Sequence, residues 1–272
     1  MDPATESQAN PVAAGGRWRE YLIEGWALGM FMISAAFMTA LLEAPGSPLH
    51  AAIADPAARR ALVGIAMGVT AVVLIRSPWG RQSGAHMNPA VTLGFWFLRR
   101  MHGVDALGYI AAQFLGGLMG VVIAAAILGR HFTEAPVHYV ITAPGPAGLL
   151  SAFVAELSMS FVLFGAVLLC SARPRTERFT PFVAGALVAA YIAFEAPLSG
   201  MSINPARSFA SAAPAGAWEN LWIYFVAPPM GMLLAALLGR RLLQPHCAKL
   251  LHTPDVRCIH CGYDPMGKTE ER

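Results

Sequence analysis

Two triplets, Asn88-Pro89-Ala90 and Asn204-Pro205-Ala206, set an amide and a helix-starting proline inside otherwise apolar sequence. Asn is a preferred N-cap and Pro a preferred first helical residue, because the N–H that proline lacks would have no intrahelical partner there. Each triplet therefore starts a helix, whose N-terminus brings roughly half a positive elementary charge to that point. Such an end repels cations, and the asparagine amides beside it donate hydrogen bonds to an uncharged polar molecule. Arg207, three residues after Asn204, adds a full charge. A buried Arg costs about 2.5–3.5 kcal/mol on insertion scales, so its presence reads as functional, the alternative being a lipid-headgroup anchor. Glu24 and Glu156 are carboxylates in apolar surroundings, where an unpaired charge is costly, and as a pair they suggest proton transport or acid–base chemistry. A separate set near the C-terminus, Cys247, His252, Cys258 and Cys261, offers the thiolate and imidazole donors of a tetrahedral zinc site. A single CxxC is half of a ribbon motif, and reduced free thiols are the alternative reading.

The elements that must position these groups follow from composition. Of 272 residues 56% are hydrophobic and 13% charged, with a mean hydropathy of +0.52, against roughly 25% charged residues in soluble domains. Apolar stretches cover 21–42, 61–75, 104–128, 149–170, 180–194 and 218–238. Several reach the roughly 20 residues that carry a helix across a bilayer, so six spans are expected. The first twenty residues are polar and lack the apolar run and cleavage site of a secretory signal. All of the 19 Lys and Arg except Arg59, Arg60, Arg130 and Arg207 fall in the tails and in alternate links. By the positive-inside rule both termini are then cytoplasmic, as an even number of spans also requires. The formal net charge of +3 is therefore a topological signal rather than a nucleic-acid footprint. Cys170, Cys247, Cys258 and Cys261 fall on the cytoplasmic side, where no disulfide is expected.

The chain also repeats itself. Glu24 and Glu156 lie early in the first and fourth spans, the two triplets follow, and Tyr109…Gly116 is matched by Tyr224…Gly231. A duplicated unit of three spans must enter the membrane from opposite faces, which makes the repeats inverted. The helices after the triplets run over 90–98 and from 206 to about 212, before Pro214. Ten residues at about 1.5 Å each give about 15 Å, half of a roughly 30 Å hydrocarbon core. Two half-spans thus meet at the midplane, and their non-helical lead-ins, 83–87 and 197–203, must line a water-filled cavity or be buried in protein. The expected fold is an all-α membrane protein of six transmembrane helices plus two re-entrant half-helices. Its parts are an N-terminal tail (1–17), a channel domain (18–242, with repeats at about 18–130 and 149–242) and a Cys/His-containing tail (243–272).

SGAHMNPAVT and SINPARS, in corresponding slots of the two halves, resemble the signatures of the aquaporin family (major intrinsic proteins) in its bacterial type, over about residues 18–242. The resemblance implies a passive channel, a homotetramer in the cell (inner) membrane, no cofactor in the pore, and water as substrate with glycerol, urea or ammonia as additional uncharged solutes. It implies a constriction made by Arg207, by Met201 three before Asn204, by Ile192 in the fifth span and by Met67, or else Gly68, in the second. It gives Glu24, Glu156 and His86 a bracing role in the lead-in loops, with Tyr109 and Gln113 packed beside the first half-helix. The chain departs from strict water channels, which carry His at the fifth-span position and usually Phe in the second, while Ser208 stands where glycerol-facilitating relatives usually carry Asp. Core packing is the rival reading for Met67, Ile192 and Met201. Two rival functions are a facilitator of glycerol and like solutes with little water flux, and a proton-coupled transporter using Glu24 or Glu156. An intramembrane enzyme lacks any supporting motif. Because the tail follows the last span, the channel is expected to work with or without a metal there.

Overall fold

The polar breaks in the apolar chain are where its helices begin and end. The computed structural model describes residues 17–243, 245 and 247–265; the N-terminal tail expected over 1–17 lies almost wholly outside them. Eight helices among the described residues carry the architecture: α1 (Trp18–Glu43), α2 (Pro56–Arg76), α3 (Pro89–Phe97), α4 (Gly103–Leu128), α5 (Gly148–Ser171), α6 (Thr180–Phe194), α7 (Pro205–Ala215) and α8 (Leu221–Gly239). Among the described residues six segments are long and apolar enough to cross a membrane, the fifth being Arg175–Phe194, which joins a short turn to α6. Single helical turns, among them Pro78–Ser83 and Ala196–Ser199, fill the links.

Local chemistry explains the boundaries that differ from the apolar pattern. Helix α2 starts at Pro56, five residues before its apolar run, because Asp55 caps it by accepting from the Ala57 N–H. Arg59, on that extra turn, is taken up by Glu43 and by the carbonyls of Ile53 and Ala54. Helix α7 continues past Pro214 to Ala215, and Gly216 in the left-handed region ends it by donating to the Ala212 and Ala213 carbonyls. The second lead-in is also shorter than expected, since Ala196–Ser199 forms a turn of helix.

The helices pack as α1 on α4, α5 on α8 and α2 on α6, while half-helix α3 docks on α8 and half-helix α7 on α4. Each repeat thus lends its half-helix to the last span of the other, which locks the halves together. The repeated Tyr-to-Gly spacing has a packing reason. A Cβ on Gly116 would run into the backbone carbonyl of Gly25, and one on Gly231 into that of Leu157, the residues immediately after Glu24 and Glu156. Helices in a membrane associate through such small-residue contacts, because lipid tails are as apolar as Leu. Gly116→Val or Gly231→Val is expected to cost more than about 3 kcal/mol, since backbone cannot yield to the added atoms. Thermal unfolding in detergent checks this, and a parent-like melting temperature for both variants would remove the close contact as a requirement.

Outside, the bundle presents large apolar side chains: Leu62, Ile65, Val69 and Val73 stand exposed along α2, and Leu107, Leu115 and Met119 along α4. Trp18, Trp79, Trp218 and Trp222 are exposed near helix ends, where indole rings suit the lipid–water interface.

Candidate pore

The two lead-ins fold as near copies. Gly84 and Gly200 (φ 106° and 77°) turn the chain, followed by alternate residues in the left-handed region: Ala85 and Met87 at 53° and 51°, Met201 and Ile203 at 50° and 51°. Four residues with side chains at positive φ are strained, and such strain persists only where the surroundings over-determine it. The glutamates do so. Glu24 accepts from Ser83 Oγ (2.7 Å), the His86 N–H (3.0 Å), the Met87 N–H (2.7 Å) and Gln113 Nε2 (2.9 Å). Glu156 accepts from Ser199 Oγ (2.7 Å), the Ser202 N–H (2.7 Å) and the Ile203 N–H (2.6 Å). Tyr109 and Tyr224 donate to the Ser83 and Ser199 carbonyls, both at 2.6 Å, so Tyr109 is a hydrogen-bonding strut as well as a packing residue.

With their N–H groups spent on glutamate, the loops turn carbonyls toward the molecular centre, where the asparagines meet them. Asn88 caps α3 through Oδ1 to the Ala90 N–H and donates its Nδ2 to the Ile203 carbonyl at 2.7 Å. Asn204 caps α7 through Oδ1 to the Ala206 and Arg207 N–H groups and donates its Nδ2 to the Met87 carbonyl at 2.7 Å. One amide hydrogen of each thus ties the opposite loop, leaving its second N–H for a permeant. The expectation from capping alone left the whole NH2 group available.

A cavity of about 240 Å³ runs along these groups, lined by Asn88 and Asn204 and elsewhere mostly by aliphatic and Met residues. Met67, Ile192, Met201 and Arg207 line it together. Gly68 faces the other way, where a Cβ would lie 2.5 Å from the Gly185 carbonyl oxygen of α6. Glu24 and Glu156 are fully buried behind the loops and form no part of the cavity wall, so they are not placed to exchange protons with its contents.

His86 also lines the cavity and is tied on both nitrogens, to Thr92 Oγ1 at 3.1 Å and to the Ala248 carbonyl at 2.8 Å. Its counterpart in the second loop is Ser202, whose Oγ meets Ser208 Oγ at 2.6 Å, and Ser208 is bonded in turn to Thr142 Oγ1 at 2.7 Å. Ser208 is fully buried in this brace and does not face the cavity. The carbonyl of Val140 accepts from Arg207 Nη1 at 2.7 Å. Three consecutive left-handed residues, His138, Tyr139 and Val140 (φ 40°, 56° and 48°), present it. Sequence gave no signal for that contact, because a backbone carbonyl carries no residue preference.

The tail does not stand apart from the channel as its place after the last span suggested. Leu250 lines one end of the cavity, and its N–H donates to the Gly84 carbonyl at 3.1 Å. Lys249, 1% exposed, donates Nζ to the carbonyls of Arg81 (2.9 Å) and Arg257 (3.2 Å). His260 lies beside Tyr109 and stacks near His86, and burial pushes its pKa down to about 4, which keeps it neutral. The ligand atoms of Cys247, His252, Cys258 and Cys261 all lie within 4.8 Å of one another. Hydrogen bonding between the two thiols pulls Cys258 down and pushes Cys247 up.

Residues 13–238 match the family model described as Major intrinsic protein. The chain is 33% identical over 212 residues to Probable aquaporin TIP4-1 of Oryza sativa subsp. japonica, a match covering 78% of this chain and 81% of that one. It is 31% identical over 189 residues to Aquaporin Z of Photorhabdus laumondii, covering 66% of this chain and 81% of the relative. Among solved structures the aquaglyceroporin from Plasmodium falciparum shares the fold, with a TM-score of 0.68 and 19% identity over 85% of this chain and 98% of that one.

Proposed function

This chain belongs to the major intrinsic protein family, and from that premise we propose that it conducts water passively, with small uncharged solutes such as glycerol, urea or ammonia passing in addition. The observation that carries the reading is the meeting of the two loops: Asn88 and Asn204 cap opposed half-helices, bond each other's loops, and border one cavity with Arg207. Two helix N-termini aimed at one point oppose cations, and a water that accepts from both amides cannot also pass a proton along a continuous donor–acceptor chain. Met67, Ile192, Met201 and Arg207 form the constriction in this reading, with Arg207 its one charged group and Gly68 withdrawn as the second-span alternative. The channel domain is 18–242, assembled as a homotetramer in the cell (inner) membrane with both termini cytoplasmic. The placement of Lys and Arg in alternate links supports that orientation.

The same cavity bears on substrate. Ile192 in place of an imidazole removes a donor and leaves an apolar wall with two flexible methionines, which yield to a passing solute more readily than a rigid ring. Stopped-flow light scattering on proteoliposomes tests this, with water and then each solute as the osmotic challenge. Vesicles are expected to shrink faster than empty ones and to ignore an imposed pH gradient. No water flux above empty vesicles alongside fast glycerol entry would reverse the ordering, and uphill accumulation would replace the channel with a coupled transporter. Ile192→His is expected to lower the ratio of solute to water permeability by roughly tenfold, the scale on which pockets discriminate by size. An unchanged ratio would take Ile192 out of the constriction.

A further inference from the structure

The four ligand-bearing residues of the tail and Leu250, which lines the cavity, belong to one short stretch of chain. Cys247 and His252 bracket the segment Ala248-Lys249-Leu250-Leu251, and that segment lies against the first lead-in loop. The Ala248 carbonyl accepts from His86 Nε2 at 2.8 Å, the Leu250 N–H donates to the Gly84 carbonyl at 3.1 Å, and Lys249 Nζ donates to the Arg81 carbonyl at 2.9 Å. Beyond it the His252 N–H donates to Glu177 Oε1 at 2.8 Å, which ties the tail to the link between α5 and α6. Leu250 borders the cavity with Ile75 and His86.

Four donors converge at the far side of this segment. Cys247 Sγ lies 3.2 Å from Cys258 Sγ, and Cys261 Sγ lies 3.4 Å from His252 Nε2. Tetrahedral zinc, with Zn–S near 2.3 Å and Zn–N near 2.1 Å, requires ligand-to-ligand edges of roughly 3.5–3.8 Å. Two pairs sit inside those edges and every separation in the set falls within 4.8 Å, so shifts of about 1 Å or less bring the four atoms onto a tetrahedron. A turn shapes the Cys258-x-x-Cys261 end: Gly262 is in the left-handed region at φ 74°, its N–H donates to the Cys258 carbonyl, and the Cys258 N–H donates to the Tyr263 carbonyl. Cys247 and Cys258 are buried while Cys261 is exposed, so the cluster has a closed floor and an open side through which an ion enters. A disulfide between Cys247 and Cys258 would leave Cys261 and His252 convergent on nothing.

We propose that Cys247, His252, Cys258 and Cys261 bind one zinc ion, and that this ion clamps the intervening segment so that Leu250 narrows the tail-side mouth of the channel. Removing the ion frees the side chains at both ends of the segment, which is then held by its backbone hydrogen bonds and by the burial of Ala248, Leu250 and Leu251 alone. Metal occupancy therefore sets how widely that mouth stands open. The gating half of the proposal rests on the channel reading above; the metal half does not.

The test uses the full-length protein, purified and then reconstituted, with metal content, protease cleavage of the tail and osmotic shrinkage read on the same samples. About one zinc per chain is expected, falling to background in Cys258→Ser. Stripping with a chelator, or Cys258→Ser, should expose the tail to protease and raise the shrinkage rate by roughly twofold or more. Leu250→Ala should raise the rate similarly while keeping its zinc. Background metal in the parent that stays at background after zinc is added overturns the site, as does recovery of Cys247 and Cys258 as a disulfide. Full zinc whose removal leaves the rate unchanged or lower overturns the clamp. Vesicles that never shrink faster than empty ones, whatever their metal content, sink the channel reading instead, and the zinc measurement then decides the site alone.

Discussion

Glu24→Ala and Glu156→Ala are each expected to yield protein that does not assemble a conducting pore. In the first, Ser83 Oγ, the His86 and Met87 N–H groups and Gln113 Nε2 lose their acceptor; in the second, Ser199 Oγ and the Ser202 and Ile203 N–H groups do. Each buried donor left unpaired costs about 1–3 kcal/mol, so three or four approach the whole 5–15 kcal/mol stability typical of a domain. The loss does not stop at the hydrogen bonds. Ala85, Met87, Met201 and Ile203 hold positive φ because the glutamates pin the intervening N–H groups, and without the pin each relaxes toward an unstrained conformation. That relaxation withdraws the Met87 and Ile203 carbonyls from Asn204 and Asn88. Glu24→Gln is the graded control: its amide turns one acceptor into a donor facing other donors, so it should fold less stably than the parent. The yield of monodisperse protein, its melting temperature and its shrinkage assay together check the series. Parent-like folding and flux in Glu24→Ala would show that the bracing is dispensable.

What the residues alone disclosed divides by range. The Asn-Pro caps are local chemistry, so the starts of α3 and α7 follow from them. The six spans follow from apolar runs, with an error at α2 where Arg59 and Arg60 masked a helix that Asp55 and Pro56 begin. The pairing of Glu24 and Glu156 with the loops was reached only through family resemblance, because the partners lie 59 to 63 and 43 to 47 residues away. The contact of His86 with Ala248 spans 162 residues through a backbone carbonyl, and the tail between Cys247 and Cys261 has no apolar period to place it. Nothing local could have put Leu250 in the cavity. Ser208 acts in the fold through long-range partners as well: its hydroxyl meets Ser202 and Thr142 away from the lumen, contacts that its place beside Arg207 does not disclose. Met67 and Gly68 are neighbours whose directions differ by about 100° around a helix, a distinction that a one-residue uncertainty in a link erases.

Arg207→Val should leave the fold intact and water flux within about twofold of the parent, while proton or ion leak rises by roughly tenfold, equivalent to about 1.4 kcal/mol of barrier. Folding survives because the Arg207 backbone N–H, not its side chain, takes part in the Asn204 cap, and the guanidinium donates to the Val140 carbonyl. Water flux survives because the asparagines and loop carbonyls still offer hydrogen bonds along the cavity. Leak rises because a fixed positive charge among apolar walls acts through a low dielectric, where its field on an entering cation is far stronger than in water. The rise stays bounded because a second barrier stands in series: the N-termini of α3 and α7, each contributing roughly half a charge, still face one another at Asn88 and Asn204. Proteoliposomes loaded with a pH-sensitive dye, with the potential set by a potassium gradient and an ionophore, measure the leak. An unchanged leak would place the whole cation barrier at the asparagines and remove Arg207 from it. A leak far beyond tenfold would mean that the opposed helix ends contribute little, and that one guanidinium held by Val140 carries nearly all of the exclusion.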